Sequence, residues 1–286
     1  MNPRELNFSG NAPLLYLIAT PIGNLGELSP RALKVIEEMD FIAAEDTRHS
    51  GELLAGFGLK KAMISCHEHN EEEAASKIIA LLKQGKKVAY MSDAGYPAIS
   101  DPGERLVRRA VKEGIKVTTV SGANAALNAL ASSGLASRHF YFHGFLPVKD
   151  GDRKKELSAL LRHEETLIFY EAPHRIGKTL RDLYEAFGDR KATLARELTK
   201  THEEFIRGSL QELCALDPET LKGEMVIVVE GCQDKGPTLS EEEILQAMQE
   251  KIASGAKAKD AAKEIAEEHG LSKNKIYALY LSKKEA

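Results

Sequence analysis

The sequence predicts an α/β protein made of two sheets with crossover helices, followed by a small all-helical unit. Three observations predict it. Apolar, β-rich runs alternate with segments of helical period through the first 232 residues, Gly/Pro-rich loops follow several of those runs, and from about Ser240 the pattern becomes purely helical. A chain of 286 residues is too long for one ordinary core and suits two compact domains. Residues 1–13 read as a short frayed tail, 14–120 as the first α/β domain, 121–232 as the second, and 240–286 as the helical unit beyond the linker "QDKGPTLS".

The elements follow in order. "LLYLIA" is a strand, and Ser29-Pro30 then supplies an N-cap with proline at the first helical position for a helix running to about Met39. "FIAAED" and "AMISCH" are the next strands, and "EEEAASKIIALLKQG" is an amphipathic helix closed by Gly85. After the strand "KKVAYMS", Asp101 is a reasonable N-cap for a helix reaching Glu113 and ended by Gly114, with "IKVTTVSG" behind it. The domain boundary falls near "VSGANAALNALASSG". The second half repeats the theme with "FYFHG", "TLIFYEA", "KATLARE", "EEFIRG" and "EMVIVVEG".

Composition narrows the function classes. With 43% apolar and 29% charged residues the chain has a soluble globular profile, and no apolar run approaches the ~20 residues that span a bilayer. The first residues lack the basic-then-apolar profile of a signal peptide, and Cys66, Cys214 and Cys232 show no CxxC spacing, so the expected compartment is the reducing cytoplasm and no zinc site is expected. A net charge of −4 gives no global attraction for nucleic acid, which leaves only a locally basic face for such a role.

One motif invites a nucleotide reading. "EAPHRIGKTL" contains Ala172, four residues, then Gly177-Lys178-Thr179, a loose match to a phosphate loop. Such a loop aims successive backbone N–H groups at one anion, but Pro173 has no N–H and β-branched Ile176 resists positive φ. Lys178 and Thr179 are therefore expected simply to open a surface helix. "ATPIGNLGELSP" and "SDAGYPAISDPG" are strand-end loops without dinucleotide spacing; they suit a ligand that needs close backbone approach and few phosphates.

Eight ordered segments, "ATPIGNLGELSPRAL", "AAEDTRHSGELL", "HEHNE", "SDAGYPAISDPG", "GFLP", "FYEAPHR", "ARELTKTHEE" and "GEMVIVVEG", together resemble the tetrapyrrole-methylase-like family. More narrowly they resemble its branch that methylates small-subunit ribosomal RNA. The resemblance runs from about Leu14 to Ala286. It implies two α/β domains with S-adenosylmethionine in the cleft between them, a homodimer, and methyl transfer to a cytidine ribose 2′-oxygen. Carried over by motif, the implied cofactor contacts are Pro21, Ser92, Asp93, Tyr96, Ser121, Asn124, Ala125, Glu171, Ala195, Glu224 and Met225. Three departures stand out: Tyr96 replaces a smaller residue, Ser121 and Ala123 replace prolines, and Val148 and Asp150 stand where basic residues are expected, leaving Lys149, Arg153, Lys154 and Lys155 nearby.

A ribose hydroxyl is a poor nucleophile near neutral pH, so alignment plus a proton acceptor or a nearby cation should carry the rate. The polar residues of the recognisable loops are Asp46, Arg48, His67, Glu68, Asn70, Glu171, His174, Arg175, Arg196, Glu197 and Lys200. Glu171 or Glu197 is the expected general base, with Lys200 or Arg196 beside the developing oxyanion; any of these can equally serve a structural ion pair. Arg48 and Arg175 suit RNA phosphates. Two histidines two apart, His67 and His69, do not make a metal site.

The tail admits a rival. Ala266, Gly270 and Ile276 have helix-turn-helix spacing, with Ile265, Leu271 and Leu279 apolar and Ser272 able to cap the second helix. From Lys251 onward eight lysines face five acids, so this stretch is basic within an acidic chain. A DNA-binding regulator is one alternative, although Lys273, Asn274 and Lys275 offer little to read base edges. A methyltransferase of a small tetrapyrrole-type acceptor is the other, disfavoured because a small acceptor needs no helical module. The preferred reading gives Lys257, Lys259, Lys263, Lys273 and Lys275 to RNA phosphates.

Overall fold

The central strands explain why this chain forms two sheets. "VAYM" and "MVIVV" are buried on both faces, and unbroken apolar runs of that kind fold only where helices or loops cover both sides. The computed structural model describes residues 6–7, 13–233, 240–269, 271 and 273–284. Most of the N-terminal tail, positions 234–239 of the linker, and Gly270 and Ser272 of the helix-turn-helix spacing lie outside the described residues.

The first sheet is wholly parallel. It comprises β1 (Leu14–Ile18), β2 (Phe41–Ala44), β3 (Ala62–Ser65), β4 (Val88–Met91) and β5 (Lys116–Val120) in the order β3-β2-β4-β1-β5. Its crossovers are α1 (Pro30–Glu38), α2 (Thr47–Gly56), α3 (Glu71–Lys83) and α4 (Glu104–Lys112). Ser29 caps α1 as expected, its hydroxyl accepting from the Ala32 amide. The chain leaves β1 toward β2 on one side and leaves β4 toward β5 on the other. The crevice at the carboxyl ends of β1 and β4 is thus a topological switch point, where ligands bind in open α/β sheets.

Asp101 does not cap α4. The N-cap is Gly103, and the helix-end amides of Gly103, Arg105 and Leu106 donate to Oε1 of Glu71, a buried carboxylate reaching across from α3. Donors at a helix N-terminus need any nearby acceptor, and here it comes from another helix. Asp101 is thereby left to the cleft.

The second sheet departs from the simple repetition of the theme. Its strands are β6 (Phe140–Phe145), β7 (Thr166–Glu171), β8 (Lys191–Arg196), β9 (Glu204–Ser209) and β10 (Met225–Val229), ordered β6-β7-β10-β8-β9. Only β6 and β7 run parallel, joined through α6 (Asp150–Leu160); the other three pairings are antiparallel. The short connection from Arg196 to Glu204 cannot make a crossover, so β9 must turn back on β8. Helix α5 (Ala125–Ser133) covers one face, and α7 (Ile176–Phe187) with the short α8 (Leu210–Cys214) covers the other.

Gly177, Lys178 and Thr179 of the apparent phosphate loop each have a structural task. A Cβ on Gly177 would stand 2.6 Å from Pro218, so the glycine lets the 3₁₀ turn Pro218–Thr220 sit against α7. Lys178 pairs with Asp150 on α6. Thr179 is buried, and its hydroxyl donates to Glu171 at 2.6 Å. The loop's amides turn inward on the carbonyls of Ala172 and Pro173 rather than toward one point in solvent.

The helices α9 (Glu241–Ala253), α10 (Ala258–His269) and α11 (Lys273–Lys284) close around their own cluster of Met248, Ala261, Ala262, Ile265 and Ile276. This small core is separate from those of the two sheets.

Candidate active site

The loops after β1 and β4 are stitched together at the switch point. Thr20 and Gly95 exchange backbone hydrogen bonds of 2.9 and 3.1 Å, and the Thr20 hydroxyl donates to the Ser92 carbonyl. Ser92 is buried, with its own hydroxyl donating to the Gly95 carbonyl, so it braces the loop from behind. Beyond Gly95, Ala98 and Ser100 stand at positive φ (67° and 61°). Non-glycine residues held in this region store strain, typical of ligand-clamping loops.

Between this face and the second domain lies a cavity of about 370 Å³. From the first domain it is lined by Ile22, Glu45 and the stretches Asp93–Tyr96 and Ile99–Asp101. The second domain contributes the start of α5 (Asn124, Ala125), Phe145, Tyr170 with Glu171, the segment around Glu197 and Lys200, and the start of β10. Tyr96 and Tyr170 hold their own walls: the amide of Gly122 donates to the hydroxyl of Tyr96, and that of Ala126 to the hydroxyl of Tyr170.

The cavity is acidic. Glu45, Asp93, Asp101 and Glu224 all line it, and Asp93 accepts from the Asp46 amide at 3.2 Å. Burial pushes the Asp101 carboxyl up to about 7, helped by Glu45, while the neighbouring Ser92 hydroxyl works the other way. Burial also raises Glu45, with Asp93 adding to it. Crowded carboxylates of this kind favour a bound cation.

Opposite them, Glu197 and Lys200 form an ion pair of 2.9 Å at the cavity wall. Glu197 has φ of +51° and Thr199 of +67°. Gly223 makes room for the pair, because a Cβ there would fall 1.9 Å from Oε1 of Glu197. The Lys200 stem lies directly against Gly23 of the first domain, so this side chain crosses from one domain to the other.

Of the cofactor contacts expected from sequence, Asp93, Tyr96, Asn124, Ala125, Glu171, Glu224 and Met225 line the cavity. Pro21 and Ala195 are buried outside its lining, Ser92 acts as the brace described, and Ser121 is exposed and outside the lining too. Asn124 spends its side-chain oxygen capping α5. Of the expected catalytic residues Glu171, Glu197 and Lys200 meet at the cavity and Arg196 does not. Both oxygens of the Glu171 carboxylate are engaged: Oε1 accepts from the Ala172 amide and pairs with Arg175, and Oε2 accepts from Thr179.

Arg175 itself donates to the Leu146 carbonyl at 2.8 Å, tying the "GFLP" loop to "FYEAPHR". Arg48 is exposed beside Asp46, whose carboxyl it holds down to about 2. Arg153, expected near RNA, is buried between Asp150 and Asp182 and cannot reach solvent. His67 and His69 pack edge to face behind β3, outside the cavity lining. Among the described residues no group of three or more His, Cys, Asp or Glu side chains is disposed to hold a metal ion. Lys257, Lys259, Lys263, Lys273 and Lys275 are all exposed on the helical unit.

The lining residues Ile22, Glu45, Ile99, Ser100, Phe145 and Tyr170 were not singled out by the sequence, and Asp101, for which an N-cap was one of the open readings, lines the cavity as well. Glu45 carried a usable signal, since it directly follows the last buried residue of β2 at the carboxyl end of the sheet. Behind Glu197 lies a second, more open hollow lined by Arg196, Glu197, His202, Glu219, Thr220 and Lys222.

The chain matches the model of the Tetrapyrrole (Corrin/Porphyrin) Methylases over residues 14–214, and that of the RsmI C-terminal HTH domain over residues 238–284. It is 44% identical to "Ribosomal RNA small subunit methyltransferase I" of Halalkalibacterium halodurans, covering 93% of this chain and 94% of the relative. Proteins of the same name from Bacillus subtilis (42% identity, 97% and 98% covered) and Haemophilus influenzae (46%, 94% and 96%) are similar throughout. The fold resembles the crystal structure of uroporphyrin-III-C-methyltransferase from Thermus thermophilus, with a TM-score of 0.56 at 23% identity over 76% of this chain and 94% of that one.

Proposed function

The chain belongs to the ribosomal RNA small subunit methyltransferase I family, within the tetrapyrrole methylases, and from that premise we propose that it transfers methyl from S-adenosylmethionine to a cytidine ribose 2′-oxygen of small-subunit ribosomal RNA. One observation of the site supports the cofactor most directly: an interdomain cavity at the switch point with an excess of carboxylates. S-adenosylmethionine carries a sulfonium and an ammonium group and no phosphate, so this lining suits it where a nucleoside triphosphate would be repelled. Asp93, Asp101 and Glu224 are the acids to meet those cations, and Tyr96, Asn124, Ala125 and Met225 the walls for its adenosine.

When bound, the cofactor supplies an electrophilic methyl group. The chain's own part is to align the acceptor and handle a proton. Glu197 is the proposed acceptor of the 2′-hydroxyl proton, because Oε2 has no hydrogen bond or ion pair among the described residues while Oε1 is held by Lys200. Lys200 is the cation beside the developing oxyanion. Glu171, with both carboxylate oxygens engaged and its side chain buried, is assigned to positioning the β7 loop rather than to the base. Arg196 acts outside the cavity, and Arg48 is a phosphate contact at the rim. The tail lysines serve as a sequence-tolerant RNA contact, and the helical unit as an RNA module rather than a DNA reader. We further propose a homodimer acting in the cytoplasm; among the described residues no helix is long and apolar enough to cross a membrane.

The decisive experiment is transfer of labelled methyl to small ribosomal subunits lacking the modification, with protein-free RNA alongside. Label at a ribose 2′-oxygen, seen as a phosphodiester resistant to alkali, is expected. Tight cofactor binding with no label in either RNA would refute the acceptor assignment.

A further inference from the structure

We propose that the open hollow behind Glu197 seats the acceptor nucleotide, with Lys222 and His202 holding a phosphate next to the methylated ribose; this rests on the RNA methyltransferase reading above. Glu197 is common to the lining of both spaces, so a ribose in the hollow can present a hydroxyl to the carboxylate that also faces the donor cavity.

Charge decides the direction of approach. The donor cavity offers Glu45, Asp93, Asp101 and Glu224 against one lysine, and that lysine is already paired. A phosphodiester entering there would meet carboxylates in a partly desolvated space. The hollow presents Arg196, His202 and Lys222 instead. Arg196 is anchored, pairing with Glu204 and donating to the Lys222 carbonyl, so it fixes the backbone from which Lys222 projects. Lys222 and His202 are exposed, and their side chains make no ion pair among the described residues. An unpaired ammonium and an imidazole that can donate N–H in either protonation state suit a phosphate oxygen.

The floor is rigid. It includes Glu219 and Thr220 from the 3₁₀ turn that seats on Gly177, and the Thr220 hydroxyl donates to the Asp217 carbonyl at 2.7 Å. Glu219 is the acid of this lining without an ion pair among the described residues, and it can meet an incoming nucleotide only through a donor such as a sugar hydroxyl or an exocyclic amine. The hollow is therefore mixed in charge, as a nucleotide seat needs, while the donor cavity is mainly acidic.

The test uses the full chain with Lys222→Glu, His202→Ala and the double variant. It measures affinity for protein-free small-subunit RNA across a salt series, KM and kcat with small subunits, and cofactor affinity by calorimetry. RNA affinity should fall several-fold for each single variant at low salt. The slope of log affinity against log salt should flatten by about one for Lys222→Glu. KM for subunits should rise more than kcat falls, with cofactor affinity within about twofold of wild type. Unchanged RNA affinity, salt slope and KM in the double variant would overturn the assignment, as would a loss confined to cofactor binding. If the wild-type enzyme methylates no small-subunit RNA, the underlying reading fails and takes this one with it. If wild type and double variant methylate equally, only the hollow's role fails.

Discussion

Replacing Gly223 by alanine should disable the enzyme while leaving it folded. The added Cβ would start 1.9 Å from Oε1 of Glu197, where ordinary contacts are no closer than 3.0 Å, so the carboxylate must retreat by about 1 Å. It cannot retreat freely, because Glu197 is held in a left-handed conformation and by Lys200. A misplacement of roughly 1 Å at a reacting group can cost on the order of 100-fold in rate. Gly223 also sits at φ +83°, and an L-residue there costs about 1–2 kcal/mol. The expected result is a melting temperature lowered by a few degrees, cofactor affinity little changed, and kcat down by about two orders of magnitude. Glu197→Gln provides the control. If alanine acts through the carboxylate, the double variant should be scarcely slower than the slower single one, a strong departure from additivity. Full kcat in Gly223→Ala, or the same fold loss in the Glu197→Gln background, would refute the argument.

Four further outcomes are expected. The folded protein keeps the Asp101 proton up to about pH 7, whereas a free aspartate loses it near 3.8, so wild type should lose stability relative to Asp101→Asn as pH rises between those values and run parallel above them. Melting curves from pH 4 to 8 check this, and a flat difference counts against it; a cationic cofactor should also release protons on binding near pH 7, measurable by calorimetry in buffers of different ionisation enthalpy. Thr179→Val strips the hydroxyl donor from the buried Glu171 carboxylate and should destabilise by roughly 1.5–3 kcal/mol in denaturant unfolding. Ending the chain at Gln233 should leave cofactor affinity intact, since the helical unit has its own core, while weakening RNA binding and flattening its salt dependence.

Much of this architecture was legible in the linear sequence because it depends on local chemistry. Ser29-Pro30 places a helix start, Gly85 and Gly114 place helix ends, and apolar runs such as "MVIVV" declare strands covered on both faces. The order of eight loop motifs likewise pointed to the family, and the proline in "EAPHRIGKTL" was enough to disfavour a phosphate loop.

Tertiary structure decided the rest, through contacts between residues far apart in the chain. Asp101 has the residue type of an N-cap, but Glu71 lies 30 positions away in sequence and takes those amides, which turns Asp101 into a cavity acid. Glu171 has the chemistry of a base, and the fold engages its two oxygens with Thr179 and Arg175. Glu197 gains its place because Gly223, on a different loop, leaves it space. The α/β class, the helical tail and the family are thus written in the linear chain, since periodicity, capping and motif order are properties of neighbouring residues. Which carboxylates are free to act was decided only by folding, because a side chain's availability depends on what the rest of the chain packs against it.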